Sequence, residues 1–110
     1  MAELEKVIEN GKVAVLYAPV YDCGWYTRCP DLKQILYDPS VVAWVLAGKP
    51  ESWLPGIAAY VGMKYSDDGL SSNLRQLEVN WLPEGTFFRV DDSDGWEGIY
   101  LYDPSEYHVA

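Results

Sequence analysis

The stretch Leu77-Glu78-Val79-Asn80-Trp81-Leu82-Pro83-Glu84-Gly85-Thr86-Phe87-Phe88-Arg89-Val90 decides the fold. Leu77, Val79 and Trp81 alternate with Gln76, Glu78 and Asn80, the period of a strand with one wet face. Leu82-Pro83-Glu84-Gly85 fits a type I turn, with Pro second and Gly fourth. Residues 86–90 return as a strand, 91–95 turn the chain again, and 96–102 form a third strand. The segment therefore predicts an antiparallel meander.

Upstream of the meander the pattern turns helical. Asp38-Pro39-Ser40 opens a helix, Asp as its N-cap and Pro where a missing N–H does no harm. Residues 41–47 fill it and Gly48 closes it; its uniformly apolar composition predicts burial on every side. A second helix runs over about 53–65, with Pro55 tolerated in its first turn. Ile57, Tyr60, Val61 and Lys64 give it a 3.6-residue period, the Lys stem snorkelling outward. Gly62 weakens it by about 1 kcal/mol relative to Ala. Residues 66–73 read as a polar loop and 32–37 as a short ambiguous element.

Residues 12–18 form a β run that Pro19 ends. Before it, Asn10-Gly11 between apolar runs favours a hairpin, because both residues accept positive φ. The rival is a short helix with Leu4, Val7 and Ile8 on one face and Gly11 as C-cap. The whole, residues 1–110, reads as one α+β domain, a mostly antiparallel sheet with a C-terminal three-stranded meander and two helices packed on one face.

The charge is lopsided. Residues 67–110 hold ten carboxylates against two bases, a net −8 within the chain's −9. Such a surface repels phosphate and predicts no nucleic-acid partner. The longest purely apolar run, 41–47, is far too short to span a membrane, and the acidic start lacks the apolar core of a secretory signal. Two cysteines in this setting read as reduced cytosolic thiols, although Cys23 and Cys29 could bridge if oxidised. Aromatics make up 15% of the chain, more than a small core encloses, which predicts rings at an oligomer or ligand surface.

No catalytic, metal or cofactor motif survives inspection. In Asp91-Asp92-Ser93-Asp94-Gly95, an EF-hand register with Gly95 at its sixth position puts Val90 and Leu101 where two ligands belong. Cys23, Cys29 and His108 are too few for a closed zinc site. His108, the only histidine, lies in a tail expected to fray, so a cysteine nucleophile lacks a placed base. No phosphate-binding glycine loop is present.

The segment 17–28 is the strongest remaining candidate. Tyr17, Tyr21, Asp22, Trp25, Tyr26 and Arg28 gather after a strand end, and aromatic walls with a few polar groups describe a small-ligand pocket. Arg28 suits a carboxylate or phosphate group. The alternative is a loop that packs its rings over the edge of the core.

Four stretches carry a resemblance: 13–19, Gly24-Trp25-Tyr26-Thr27, 36–42, and 77–90 followed by Asp94-Gly95. Together they resemble small proteins of phages and other mobile elements for which no activity is established. The likeness runs from about Val13 to Ile99. It departs at Asp22-Cys23 and Arg28-Cys29, where small or amide residues would be expected. What it implies is an accessory gene of a bacterial or phage genome, with a cytoplasmic product.

The first reading of function is a non-enzymatic binding module that uses the aromatic loop on a protein or small-molecule partner, needs no cofactor and forms a homodimer. The second is a DNA mimic whose acidic meander occupies a basic channel. The third is a small enzyme centred on Cys23 or Asp22.

Overall fold

A computed structural model describes residues 4–19, 25, 32–65, 73–93, 96–101 and 108–109. The class is the expected one: two helices and antiparallel sheets, an α+β fold. In chain order the strands are β1 (Ile8–Glu9), β2 (Lys12–Tyr17), β3 (Glu78–Pro83), β4 (Phe87–Ser93), β5 (Trp96–Leu101) and β6 (His108–Val109). The helices are α1 (Pro39–Leu46) and α2 (Leu54–Tyr65), and short 3-10 turns occupy Lys33–Leu36 and Glu51–Trp53.

The N-terminal hairpin forms. Asn10 and Gly11 both adopt positive φ, 52° and 75°, as a two-residue type I′ turn requires. Ile8 then pairs with Val13 and Glu9 with Lys12. β2 pairs along its whole length with β3, from Lys12 opposite Pro83 to Tyr17 opposite Glu78.

The meander differs in its pairing. β3 belongs to the sheet β1-β2-β3, while β4 lies between β5 and β6 in a second sheet. The turn is one residue later than the sequence indicates: Thr86 N–H donates to the Pro83 carbonyl at 3.0 Å. Gly85 takes φ 90° at its third position, as in a type II turn. Such turns splay the strands they join, so the chain passes from one sheet to the other. Asp91, Asp92 and Ser93, expected in the second turn, continue β4 instead, opposite Gly98, Glu97 and Trp96. The C-terminal tail does not fray at His108, whose backbone pairs opposite Phe88.

This division explains the unbroken apolar run in β2. Ala14 and Leu16 enter a core with Val41, Val42, Trp44, Val61 and Tyr65 of the helices. Val13 and Val15 point the other way and meet Leu36, Tyr37, Leu82, Phe88 and Val90. Helices cover one face of the first sheet and the second sheet covers the other, so β2 is buried on both faces.

Both helices lie close to their expected bounds. α1 is not buried on every side: Val41, Val42 and Trp44 are inside, whereas Ala43 and Leu46 are exposed. α2 packs Leu54, Ile57, Ala58 and Tyr60 against the core and fully buries only Val61 and Tyr65. No helix among the described residues is long and apolar enough to cross a membrane.

Candidate functional site

Of the six residues singled out in the 17–28 segment, Tyr17 and Trp25 are described; Tyr21, Asp22, Tyr26 and Arg28 lie outside the described residues, as do both cysteines. Tyr17 ends β2 half-buried. Burial raises its hydroxyl pKa first, and the neighbouring Glu78 carboxylate raises it further.

Trp25 is wholly buried. Its indole N–H donates to the Ile35 carbonyl at 2.7 Å, and its ring meets Tyr65 edge-on at 6.5 Å between centroids. It belongs to the helix-side core and is an anchor beneath the segment rather than a wall that a ligand touches.

What holds this anchor is a residue that sequence reasoning counted only as surface charge. Glu97 on β5 is buried. One carboxylate oxygen accepts the Ala18 N–H at 2.8 Å and the other accepts the Trp25 N–H at 2.7 Å. The Glu97 N–H in turn donates to the Ala18 carbonyl at 3.3 Å. One side chain therefore ties together the backbones of Ala18 and Trp25, and links the second sheet to the residue that follows β2. Charge-assisted bonds of this kind are roughly twice as strong as neutral ones. Glu97 is turned inward, and the acidic display imagined for a DNA mimic is smaller by that carboxylate.

A second buried carboxylate joins the helices. Asp38 Oδ1 accepts from the Ser40 and Val41 amides at 2.9 and 3.2 Å, which completes the N-cap of α1. Its Oδ2 accepts from the Tyr60 hydroxyl at 2.8 Å and from the Tyr65 hydroxyl. Lys64 Nζ lies 3.6 Å from the same oxygen and donates to the Tyr60 oxygen at 3.0 Å. The hydrogen bond to Tyr60 is the largest cause raising the Lys64 pKa; partial burial opposes it and Asp38 supports it. Tyr65 is held strongly in its neutral form, by burial first and then by its bond to the carboxylate. Every group in this cluster has a partner within it. The arrangement locks the start of α1 to the end of α2.

Two shallow clefts flank the N-terminal hairpin. One of about 330 Å³ is lined by Glu9, Asn10, Lys12 and Trp81. The other, of about 520 Å³, is lined by Leu4, Lys6, Ile8 and Glu84. Neither gathers a nucleophile with a base. Among the described residues no three His, Cys, Asp or Glu side chains come together as a metal site would need. Compared with known proteins, the chain matches no family model, no curated protein and no solved structure.

Proposed function

We propose that this chain is a binding module whose contact surface is the aromatic segment 17–28, acting in the cytoplasm of a bacterium as the product of a phage or mobile-element gene. The observation that supports the reading is the Glu97 bridge. A buried carboxylate bonded to the N–H groups of both Ala18 and Trp25 holds these two residues, which bound the segment 19–24, at a set distance. A segment held at both ends loses less freedom when it meets a partner, which favours binding. With Trp25 taken by the core, Tyr17, Tyr21, Asp22, Tyr26 and Arg28 are the side chains proposed for contact. Three tyrosine rings and one guanidinium suit an aromatic or aliphatic group that carries a carboxylate or phosphate.

The test is a nuclear magnetic resonance titration with benzoate and phenyl phosphate as probes. The expected result is amide shift changes grouped at 17–28 and lost in Arg28→Ala. Shift changes that avoid this segment, or that persist unaltered in Arg28→Ala, overturn the reading.

A further inference from the structure

Around the N-terminal hairpin the fold leaves several polar side chains unbonded beside one cleft. Glu9 and Lys12 stand directly opposite each other across the turn, where opposite charges ordinarily meet. Among the described residues neither side chain makes an ion pair or a hydrogen bond. Lys12 shares its face of β2 with Ala14, two residues on, and Ala14 lies opposite Trp81 of β3. Glu9, Lys12 and Trp81 therefore share one face of the first sheet. Trp81 is half-buried and packs against the helix-side core. The buried Trp25 and Trp44 give their indole N–H groups to the Ile35 and Pro50 carbonyls; that of Trp81 has no acceptor among the described residues. The Asn10 side-chain amide is unbonded in the same sense. These residues line the cleft of about 330 Å³, at the low end of the range for small-ligand sites.

We propose that this cleft binds a small zwitterion, a free α-amino acid with an aromatic or apolar side chain. The ligand class follows from the charges. Lys12 supplies a cation for the carboxylate and Glu9 an anion for the ammonium. Directly opposed residues of two strands stand about 4.5–5.5 Å apart, and the two charged groups of an α-amino acid sit on one carbon, so a single molecule meets both. Trp81 lies on the diagonal from Lys12, about 7–8 Å away, where its ring receives the ligand side chain. The Trp81 indole N–H and the Asn10 amide are further donors for the carboxylate. A simple anion meets the Glu9 carboxylate and the field of a chain of −9. A simple cation meets Lys12. A neutral sugar covers the ring but gives neither charge a counter-ion. None of the four side chains breaks a bond within the chain to take the ligand, so binding meets no such cost. Glu9, Asn10 and Lys12 are exposed, and water and salt screen charges at such a site, so the affinity is modest.

The cleft lies at the opposite end of β2 from Tyr17, and the inference stands or falls separately from the 17–28 segment. The test is a titration of the full chain with L-phenylalanine, followed by nuclear magnetic resonance at the Trp81 indole N–H, whose signal is assigned by its loss in Trp81→Phe. The expected result is a saturable shift there and at the amides of residues 9–12, with a Kd in roughly the millimolar range. Phenylacetate lacks the ammonium and phenethylamine lacks the carboxylate; each should bind about tenfold more weakly. L-phenylalanine should bind Glu9→Gln and Lys12→Gln about tenfold more weakly too. Both positions are exposed, so the circular dichroism spectrum and melting temperature of these variants should not change, and the comparison of ligands needs no variant at all. An indole signal that stays in place up to the solubility of the amino acid overturns the proposal. So does a response to phenylacetate, phenethylamine or glucose as strong as that to L-phenylalanine, undiminished binding in both variants, or shifts confined to 17–28.

Discussion

Trp25 meets Tyr65 edge to face, with ring centroids 6.5 Å apart and planes at 71°. The contact joins the two buried carboxylates through their ligands. Trp25 donates its backbone N–H to Glu97, and Tyr65 donates its hydroxyl to Asp38. The anchor of the proposed binding segment thus rests on the residue that closes the helical hairpin, and disturbance at either carboxylate is expected to reach the other.

Trp25→Ala removes a wholly buried ring and leaves the Ile35 carbonyl without its donor. It should cost about 3–5 kcal/mol, a large share of the stability of a domain this size. Trp25→Phe keeps most of the packing but loses the indole bond, and should cost about 1–3 kcal/mol. Urea denaturation of both variants checks the order. A loss below about 1 kcal/mol for the alanine variant would contradict the buried anchor.

Asp38→Ala deprives two backbone amides and two tyrosine hydroxyls of their acceptor. The expected loss is about 3–5 kcal/mol, against about 1 kcal/mol for an N-cap alone. Asp38→Asn keeps the capping oxygen but sets an amide N–H₂ against hydroxyl donors, so its cost should fall between these. Chemical denaturation of the pair separates the capping contribution from the tyrosine lock.

The response to alkali follows from the same cluster. Lys64 and Tyr65 both hold their protons more tightly in the folded chain than in the unfolded one. Their contribution is complete below the ordinary tyrosine value of 10.0 and is lost as pH climbs beyond it. The denaturation midpoint should therefore fall from about pH 10 upward. Tyr65→Phe should be less stable at neutral pH and show a shallower alkaline decline. An unchanged alkaline slope in that variant would contradict the assignment.

Glu97→Gln presents one amide oxygen where two carboxylate oxygens served, so one backbone N–H at Ala18 or Trp25 loses its acceptor. The expected loss is about 1–3 kcal/mol. Hydrogen exchange at those two amides should rise well above any change elsewhere in the sheet. If exchange at Ala18 and Trp25 stays at its wild-type rate, Glu97 does not hold these two amides.

Local chemistry was legible where neighbours in the chain do the work. Asp38-Pro39 announced α1 because a cap bonds to amides two and three residues on, and Asn10-Gly11 announced the hairpin because two positive φ angles are needed there. The second half of the Asp38 role was not visible, since Tyr60, Lys64 and Tyr65 reach it only once the two helices lie antiparallel. Glu97 reads locally as an exposed carboxylate on a strand; what buries it are amides contributed some seventy residues earlier in the chain. The second core had a signal that the meander reading passed over. Val13-Ala14-Val15-Leu16 has no alternation, which marks a strand covered on both faces. The site segment was found by composition alone, and composition does not separate a ring that anchors from a ring that binds, as Trp25 shows.

The pairing of β2 with β3 also sets the order in which this protein can be made. Lys12 waits for Pro83, roughly seventy residues further along, before its ladder closes. During synthesis β2 is made well before β3, and in that interval, among the described residues, it has only the two residues of β1 to pair with. Until β3 arrives, β2 presents an open edge to any other nascent chain. Yield of folded protein should therefore depend on elongation speed and on chaperones that shield that edge, more than on the stability of the finished domain.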